Sequence, residues 1–289
     1  TNCTAILHML ESIRQYKPDC RFYNAGSSEE FGDVTYSPQD ENHPPRPRSP
    51  YGASKVAARQ LVKVYRESFN LYAVQGWLFN HEGTRRGEEF VTRKITKAVD
   101  RIINDILHFK KPMPLELGNV NAKRDWGDAE DYVDAIWRML NQEEYNHRVK
   151  FSLKNISRVD EGLPPDYSSF IKDYVVGTGK QHTIREFVEV AFETAIGQKC
   201  GYWSGTGENE KFVIKDCDGN LHDVVVINPT YYRPAEVNKL VADNKSIYND
   251  LGWKPTTNFY DLVKKMVKND RILLSFDEHE NPPAAAGGE

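Results

Sequence analysis

The sequence has few cysteines and no long apolar run. Its 289 residues include four cysteines, and none of them forms a Cys-x-x-Cys pair. Scattered thiols in a chain of this length are typical of a reducing compartment rather than of a disulfide framework. The sequence contains no run of about 18 apolar residues and no signal-peptide pattern at its start. These absences predict a soluble cytoplasmic protein without a membrane partner.

The sequence also lacks a strong excess of charge of one sign. Its 38 Lys and Arg residues and 42 Asp and Glu residues give a formal net charge of −4. Nucleic acids and anionic membranes select for basic surfaces, so we expect neither as a partner. No internal repeat and no metal-ligand spacing is present. The apolar share of 39% and the charged share of 28% are ordinary for a globular chain that forms one large or two small domains.

The first residues are unusual for the start of a protein. The chain begins with Thr1-Asn2-Cys3-Thr4, without a Met, and runs directly into apolar residues at helical spacing from Ile6 to Ile13. We therefore expect a fragment or a processed product.

Alternating helical and strand patterns follow. A strand at 21–25, a helix at 51–70 and a strand at 71–79 predict a parallel sheet covered by helices. The remaining pattern predicts helices at 90–109, 128–140, 184–196 and 258–274, short strands at 115–119 and 173–179, and a hairpin at 211–226. The polar segment 141–172 is interpreted as an insertion.

One candidate for chemistry is the spacing of Tyr51 and Lys55 at the start of a predicted helix. Positions i and i+4 share one helix face, so the ammonium of Lys55 can lie beside the phenol of Tyr51. A nearby positive charge favours phenolate, which is the form that a base needs. The spacing alone is common, but the strand that ends in Ser27-Ser28-Glu29 would open towards the same edge of a doubly wound sheet.

Several segments together resemble the GDP-mannose 4,6-dehydratase family. Ser-Pro-Tyr51-Gly-Ala-Ser-Lys55 resembles the catalytic helix of the extended short-chain dehydrogenases/reductases. The narrower resemblance rests on segments 22–29, 78–82, 85–87, 90–94, 117–119, 122–127 and 231–236. The Asn-His-Glu and Lys-Arg-Asp-Trp-Gly segments separate this family from other sugar-nucleotide epimerases and dehydratases.

The resemblance implies a lyase that uses NADP in a redox-neutral dehydration of GDP-mannose, a step of GDP-fucose biosynthesis. Tyr51 matches the base that removes the C4 hydroxyl proton, and Lys55 matches the residue that binds the nicotinamide ribose. Ser27, where the family usually has Thr, matches the hydroxyl that contacts the C4 oxygen. Glu29 matches the acid/base that acts on the C5 proton and the C6 hydroxyl.

The resemblance also implies ligand contacts. The implied cofactor contacts are Lys55, Leu78, His81 and Arg86. The implied GDP-sugar contacts are Ser28, Asn80, Lys94, Arg124, Arg233 and Glu236. The chemistry agrees, because a diphosphate attracts Lys and Arg whereas the guanine N–H groups attract a carboxylate. For any single residue in this set, a surface ion pair is the alternative.

Two further residues lie beside these segments. Glu30 stands where the family has an apolar residue, and we predict that its side chain faces solvent. Trp126 is predicted to lie in the core rather than to contact a ligand.

The glycine-rich turn that holds cofactor phosphates in this family is missing from the sequence. Gly201, Gly205 and Gly207 have the wrong spacing and no strand–helix context. An upstream segment, a second chain that supplies the turn, or a loss of catalysis would each explain this. We expect the chain alone to bind NADP weakly.

The expected fold is α/β, with the C-terminal portion of a Rossmann-type doubly wound parallel sheet and a smaller α+β substrate domain. Residues 1–88 and 125–180 are assigned to the Rossmann part, and 89–124 and 181–276 to the substrate domain. Residues 277–289 are expected to be a disordered tail. The resemblance implies a homodimer or homotetramer.

Two other functions stay open from the sequence. The first is a non-catalytic remnant or subunit that binds a GDP-sugar or a partner protein. The second is a related epimerase or dehydratase that acts on another nucleotide sugar, such as a GDP-heptose.

Overall fold

A computed structural model describes residues 2–148, 162, 165–232 and 240–280 of the chain, with the backbone alone for 273–280. The chain forms two compact units. The first contains residues 1–81, 124–181 and 237–257, and the second contains residues 82–123, 182–236 and 258–289.

The helices and strands include those that the sequence pattern predicts, together with several short elements that it did not predict. The helices are α1 Thr4–Tyr16, α2 Pro50–Phe69, α3 Val91–Leu107, α4 Ala129–Leu140, α5 Gln142–Tyr145, α6 Ile184–Ile196, α7 Lys245–Leu251 and α8 Phe259–Glu280. The strands are β1 Phe22–Ser27, β2 Ala73–Leu78, β3 Asn80–Glu82, β4 Leu115–Leu117, β5 Lys123–Arg124, β6 Trp126–Asp128, β7 Tyr174–Val176, β8 His182–Thr183, β9 Gly201–Ser204, β10 Lys211–Lys215 and β11 Leu221–Ile227. A 3₁₀ turn, Ser28–Glu30, follows β1 directly.

Local sequence signals fix both ends of α2. The hydroxyl of Ser49 accepts a hydrogen bond from the amide of Gly52 at 3.0 Å, and Pro50 occupies the first helical position. The helix ends at Asn70, which adopts the left-handed conformation with φ of 52°. The same logic applies to α6, where Thr183 and Glu186 form the predicted capping box.

The first unit contains a parallel sheet with helices on both of its faces. Its strand order is β1-β2-β7, and all six residues of β2 are buried. Ala73 packs with Leu10 of α1 and Val62 of α2, whereas the next residue, Val74, packs with Met139 of α4. Successive residues of a strand point to opposite faces, so α1 and α2 cover one face and α4 covers the other. The predicted doubly wound α/β fold is confirmed.

The segment 237–257 belongs to the first unit, although the sequence analysis placed it in the substrate domain. Its described apolar residues explain the difference. Leu240 and Ala242 pack with Trp77, and Trp253 is buried in the cluster that contains Val74. Burial of these side chains favours this placement by about 25 cal/mol for each Å² removed from water.

The second unit combines a four-stranded sheet with helices. The strand order is β4-β11-β10-β9, in which β4 runs parallel to β11 and the other pairs are antiparallel. The β10–β11 pair is the predicted hairpin, with a register shift between Phe212 and Val213. Helices α3, α6 and α8 pack against one another, and Ile95, Phe187 and Met266 are fully buried. This mixed sheet with helices agrees with the α+β prediction.

The insertion and the tail differ in part from the prediction. Gln142 ties the two ends of the 141–172 segment, since its Nε2 donates to the Lys172 carbonyl at 2.8 Å and its Oε1 accepts from the Lys172 amide at 3.1 Å. Residues 149–161, 163 and 164 lie outside the described residues. Helix α8 continues to Glu280, so the tail was predicted to begin too early, and residues 281–289 lie outside the described residues.

The described helices include none that is both long enough and apolar enough to cross a membrane.

A buried ion pair between α2 and the start of β7 should contribute strongly to stability. Asp173 accepts two hydrogen bonds from Arg66, at 2.7 and 3.0 Å, and a third from the amide of Gln75 at 2.8 Å. Asp173→Asn leaves the Arg66 charge buried without its partner, so we expect the free energy of unfolding to fall by about 3 kcal/mol in urea denaturation. The matched control is Asp19→Asn, which breaks an exposed pair with Lys17 and should leave the unfolding midpoint unchanged. Equal effects of the two substitutions would contradict this prediction.

Candidate active site

The candidate site lies at the carboxyl ends of β1 and β2, whose last residues are paired. The parallel register places Ser27 opposite Leu78, the last residue of each strand. Ser27 then caps the 3₁₀ turn, because its hydroxyl accepts from the amide of Glu29 at 3.2 Å. Ser28 is buried, whereas Ser27 and Glu29 are partly exposed. The turn therefore presents a hydroxyl and a carboxylate at the carboxyl edge of the sheet.

The first turn of α2 carries Tyr51 and Lys55 to the same edge. The ammonium of Lys55 donates to the carbonyl of Ala25 on β1 at 2.8 Å and lies 5.6 Å from the centre of the Tyr51 ring. Tyr51 is 47% exposed and Lys55 is half-buried. Burial lowers the pKa of Lys55, while the negative charge of Glu30 raises it. The predicted proximity of the ammonium and the phenol is thus present in the structure.

Gly52 explains how closely α2 approaches the turn. A Cβ atom at this position would lie 2.6 Å from the carbonyl oxygen of Glu29, which is closer than a carbon can approach. The absence of a side chain lets the first turn of α2 pack against the backbone that holds Glu29. This role of Gly52 was not predicted from the sequence, although the glycine follows Tyr51 directly.

The prediction that Glu30 faces solvent is wrong. Its side chain is fully buried, and its carboxylate accepts hydrogen bonds from the amide of Ser27 at 2.9 Å and from the indole of Trp77 at 3.1 Å. Burial raises its pKa, while the Ser27 amide, the Arg59 charge and the Trp77 hydrogen bond lower it. The carboxylate turns inward because three donors from β1 and β2 surround it, and the residues that supply two of them lie more than 40 positions away in the sequence.

The predicted cofactor residues lie in both units. Leu78 is buried at the end of β2, and His81 follows in β3 of the first unit. The Nδ1 atom of His81 lies 2.9 Å from the carbonyl of Phe79, and its ring lies 5.1 Å from Tyr132. These contacts fix the orientation of the imidazole.

Arg86 lies in the second unit and is held there. Its Nε atom forms an ion pair with Glu82 at 3.0 Å, and its guanidinium lies 3.5 Å from the centre of the Phe90 ring. Burial raises the pKa of Glu82, whereas Arg86 and the Thr92 hydroxyl lower it. Stacking and pairing leave Arg86 oriented rather than freely solvated.

Two further predicted substrate residues, Asn80 and Arg124, lie in the first unit. Asn80 and Arg124 are both half-buried, and Arg124 precedes Asp125. Asp125 accepts from the amides of Thr178 and Gly179 at 2.8 and 2.9 Å, which fixes the backbone beside Arg124. Trp126 is 2% exposed, so its assignment to the core is confirmed.

The second unit contains a pocket of about 690 Å³ beside α3. Lys94 lines it, donates to the carbonyl of Glu116 at 2.8 Å and lies 4.3 Å from the centre of the Tyr231 ring. Lys97 and Arg101 line the same pocket. These two cations and Tyr231 were not among the predicted site residues, although Lys94, Lys97 and Arg101 have the i, i+3, i+7 spacing of one helix face.

The structure thus places Ser27, Glu29, Tyr51 and Lys55 in one unit and brings their elements into contact. Lys94 and Arg86 belong to the other unit. Arg233 and Glu236 lie outside the described residues.

A parallel sheet with helices on both faces, a hydroxyl at the end of one strand and Tyr-x-x-x-Lys at the start of the next helix are the arrangement that the resemblance to the extended short-chain dehydrogenases/reductases implies. The fold is similar to RMD from Pseudomonas aeruginosa, solved with NADPH, with a TM-score of 0.67 and 19% identity over 94% of this chain and 73% of that one. It is also similar to a UDP-glucose 4-epimerase from Thermotoga maritima, solved with UDP-glucose, with a TM-score of 0.66 and 19% identity over 95% of this chain and 70% of that one.

Within that class, the chain belongs to the GDP-mannose 4,6-dehydratase family. The sequence model of this family matches residues 1–161 and 168–266. The GDP-mannose 4,6 dehydratase of Drosophila melanogaster is 40% identical over 93% of this chain and 59% of its own length. GDP-mannose 4,6 dehydratase 1 of Arabidopsis thaliana is 41% identical over 98% of this chain and 64% of its own length. The chain therefore spans about three fifths of the length of these curated relatives.

The close contact at Gly52 predicts a change in stability that is opposite in sign to the usual effect of glycine to alanine in a helix. Glycine to alanine inside a helix normally stabilises a protein by up to about 1 kcal/mol. We expect Gly52→Ala to destabilise the chain by about 1–3 kcal/mol instead, because the added methyl group would displace the Glu29 backbone. Urea denaturation measures the change, and a stabilised variant would show that the α2–turn contact is loose.

Proposed function

We propose that this chain provides the reaction and sugar-nucleotide residues of a GDP-mannose 4,6-dehydratase, a lyase that forms GDP-4-keto-6-deoxymannose. The observation that carries the proposal is the contact of the Tyr51–Lys55 helix start with the Ser27–Glu29 turn. Membership in the family supports the choice of reaction, and the NADPH in the RMD structure supports a nicotinamide cofactor.

The donor set at the edge of the sheet fits the nicotinamide end of NADP. An ammonium carries three donors, and one N–H of Lys55 is used on the carbonyl of Ala25. The remaining donors suit ribose hydroxyl groups, and the apolar side chain of Leu78 lies beside Ser27. When bound, the cofactor would accept a hydride from C4 of the sugar and return it to C6.

Tyr51 and Ser27 would act on the C4 oxygen. Ser27 orients the hydroxyl group by a hydrogen bond, and Tyr51 as phenolate takes its proton while the C4–H bond breaks. The Lys55 ammonium lies 5.6 Å from the centre of the Tyr51 ring, on the same helix face. The result is a ketone at C4.

Glu29 would carry out the dehydration. The ketone acidifies the neighbouring C5 proton, which the Glu29 carboxylate removes. Its carboxylic acid then protonates the C6 hydroxyl group, which leaves as water. The proton that Tyr51 took from the C4 hydroxyl returns to C5, so protons and electrons balance and the reaction is redox-neutral.

We assign a nucleoside diphosphate to the pocket of the second unit. Lys94, Lys97 and Arg101 line it with positive charge for phosphate groups, although Glu88 also lines it and pairs with Lys97 at 2.6 Å, and Tyr231 provides a ring face for a base. The predicted guanine and phosphate contacts Glu236 and Arg233 remain part of the proposal.

Other assignments that remain proposals are a homo-oligomeric state and a cytoplasmic location.

Glu29→Gln separates the two halves of the reaction. With this chain, together with any sequence that precedes it in the natural polypeptide, we expect GDP-mannose still to reduce NADP. Product should form about 10²- to 10⁴-fold more slowly, the usual contribution of an acid/base residue. Absorbance of the reduced cofactor and chromatography of the sugar nucleotide measure the two steps. Glu67→Gln on the exposed surface of α2 is the control, and product formation at the unsubstituted rate in Glu29→Gln would overturn the assignment.

Lys94→Met tests the pocket without any turnover. Loss of one charge-assisted hydrogen bond should weaken GDP binding by about 1.5–3 kcal/mol in calorimetry of the chain. Lys63→Met, which removes an exposed lysine paired with Glu67 on α2, should leave GDP affinity unchanged. Equal GDP affinity in both variants would assign the pocket a purely structural role and favour a different nucleotide site.

A further inference from the structure

A buried carboxylate lies directly behind the turn that carries Ser27 and Glu29. One oxygen of Glu30 accepts from the Ser27 amide at 2.9 Å. Ser27 and Glu30 form a capping box, in which Ser27 is the N-cap and Glu30 is the N3 residue. The turn is therefore closed by two hydrogen bonds: the Ser27 hydroxyl accepts from the Glu29 amide, and the Glu30 carboxylate accepts from the Ser27 amide. Because these bonds involve the backbone of Ser27 and Glu29, they set where both side chains project.

The same carboxylate joins the turn to β2. The amide of Gln75 lies 3.2 Å from both oxygens of Glu30, and the indole of Trp77 donates to one of them at 3.1 Å. Asn24 continues the network, since its amide donates to Gln75 at 2.6 Å. Each of these contacts is buried, where a lost partner costs the full desolvation of the group left behind.

The backbone of β1 leaves room for this network. A Cβ atom at Gly26 would lie 2.7 Å from the Gln75 amide nitrogen and 2.8 Å from a Glu30 oxygen. Only a residue without a side chain fits between the two groups. The glycine and the carboxylate are therefore matched features of one arrangement.

Two cations of α2 complete the surroundings of Glu30. The Arg59 guanidinium lies 4.2 Å from the centre of the Trp77 ring, whose indole bonds to Glu30. Burial lowers the pKa values of both Arg59 and Lys55, and the charge of Glu30 raises both. Tyr51, on the same helix as Lys55, is the other titratable group beside its ammonium.

We propose that Glu30 is a positioning residue of the active site: its carboxylate fixes the Ser27–Glu29 turn through the Ser27 amide and holds α2, with Lys55, against β2 through Gln75, Trp77 and Arg59. Glu30 touches neither substrate nor cofactor in this role. That this turn belongs to an active site rests on the proposed function. The effect of the Glu30 charge on Lys55 and the hydrogen bond of Glu30 to the Ser27 amide can both be tested without it.

The first test measures the charge. NMR titration of the Lys55 side chain in the intact chain gives its midpoint, the pH at which half of the ammonium is deprotonated. In Glu30→Gln the Lys55 midpoint should fall, because the negative charge of Glu30, which raises the pKa of Lys55, is lost while the side-chain volume is kept. The matched control is Glu41→Gln, which removes a half-buried carboxylate of the same unit that accepts from the Val175 amide on β7. This control should leave the Lys55 midpoint unchanged.

The second test measures the turn. In Glu30→Leu the Ser27 amide loses its acceptor, so its hydrogen exchange should become at least about tenfold faster while the Val175 amide keeps its protection. Glu41→Leu should produce the reverse pattern. If Glu30→Leu does not fold, the Lys55 midpoint in Glu30→Gln decides the question.

An unchanged Lys55 midpoint in Glu30→Gln, or uniform exchange changes throughout the first unit in Glu30→Leu, would overturn the proposal. Turnover gives a separate readout, in which Glu30→Gln should lower kcat for GDP-mannose without changing GDP affinity. If the unsubstituted protein shows no turnover, the proposed function fails, whereas the two NMR measurements still decide the role of Glu30.

Discussion

The parallel pairing of β1 with β2 is the constraint on which the rest of the first unit's site depends. Its register ends both strands at Ser27 and Leu78, so the turn after β1 begins at the edge of the sheet. The Lys55 ammonium then anchors α2 to the Ala25 carbonyl on β1, and Gly52 lets the helix meet the turn. A shift of this register by one residue would place Asn24 and Gln75 on opposite faces and separate Glu30 from its donors Gln75 and Trp77.

Buried and half-buried carboxylates hold the backbone of the first unit at several places. Glu30, Glu41, Asp125 and Asp173 each accept a hydrogen bond from a main-chain amide of another segment or of the turn itself. Burial raises the pKa of Asp125, although four hydrogen bonds oppose that effect. A buried carboxylate is tolerated only where donors replace its lost hydration. Polar groups therefore fix the loops around this sheet, while apolar packing fixes its strands and helices.

The sequence was sufficient for the elements whose signals are local. The cap of α6 at Thr183, the hairpin of β10 and β11 and the proximity of Tyr51 to Lys55 follow from residues a few positions apart. The burial of Glu30 could not be predicted in this way, because Gln75 and Trp77 lie 45 and 47 positions further along the chain. The assignment of Ala242 to the substrate domain differs from the structure for the same reason, because its packing with Trp77 joins residues far apart in the sequence. Roles assigned to the site residues by resemblance remain predictions that the experiments above address.

The interleaving of the two units has a consequence for synthesis on the ribosome. The main-chain amide of Val241 donates to the side chain of Gln39, a separation of 202 residues, and Trp253 completes the cluster around Val74. Contacts of such long range slow folding, because loop closure must precede them. The β1–β2 pair can form early in translation, but its covering stays incomplete until Trp253 has left the exit tunnel. During that interval Trp77 and Val175 lack Leu240 and Ala242, the late residues of their cluster, so apolar surface that the folded unit buries is still open to association with other chains.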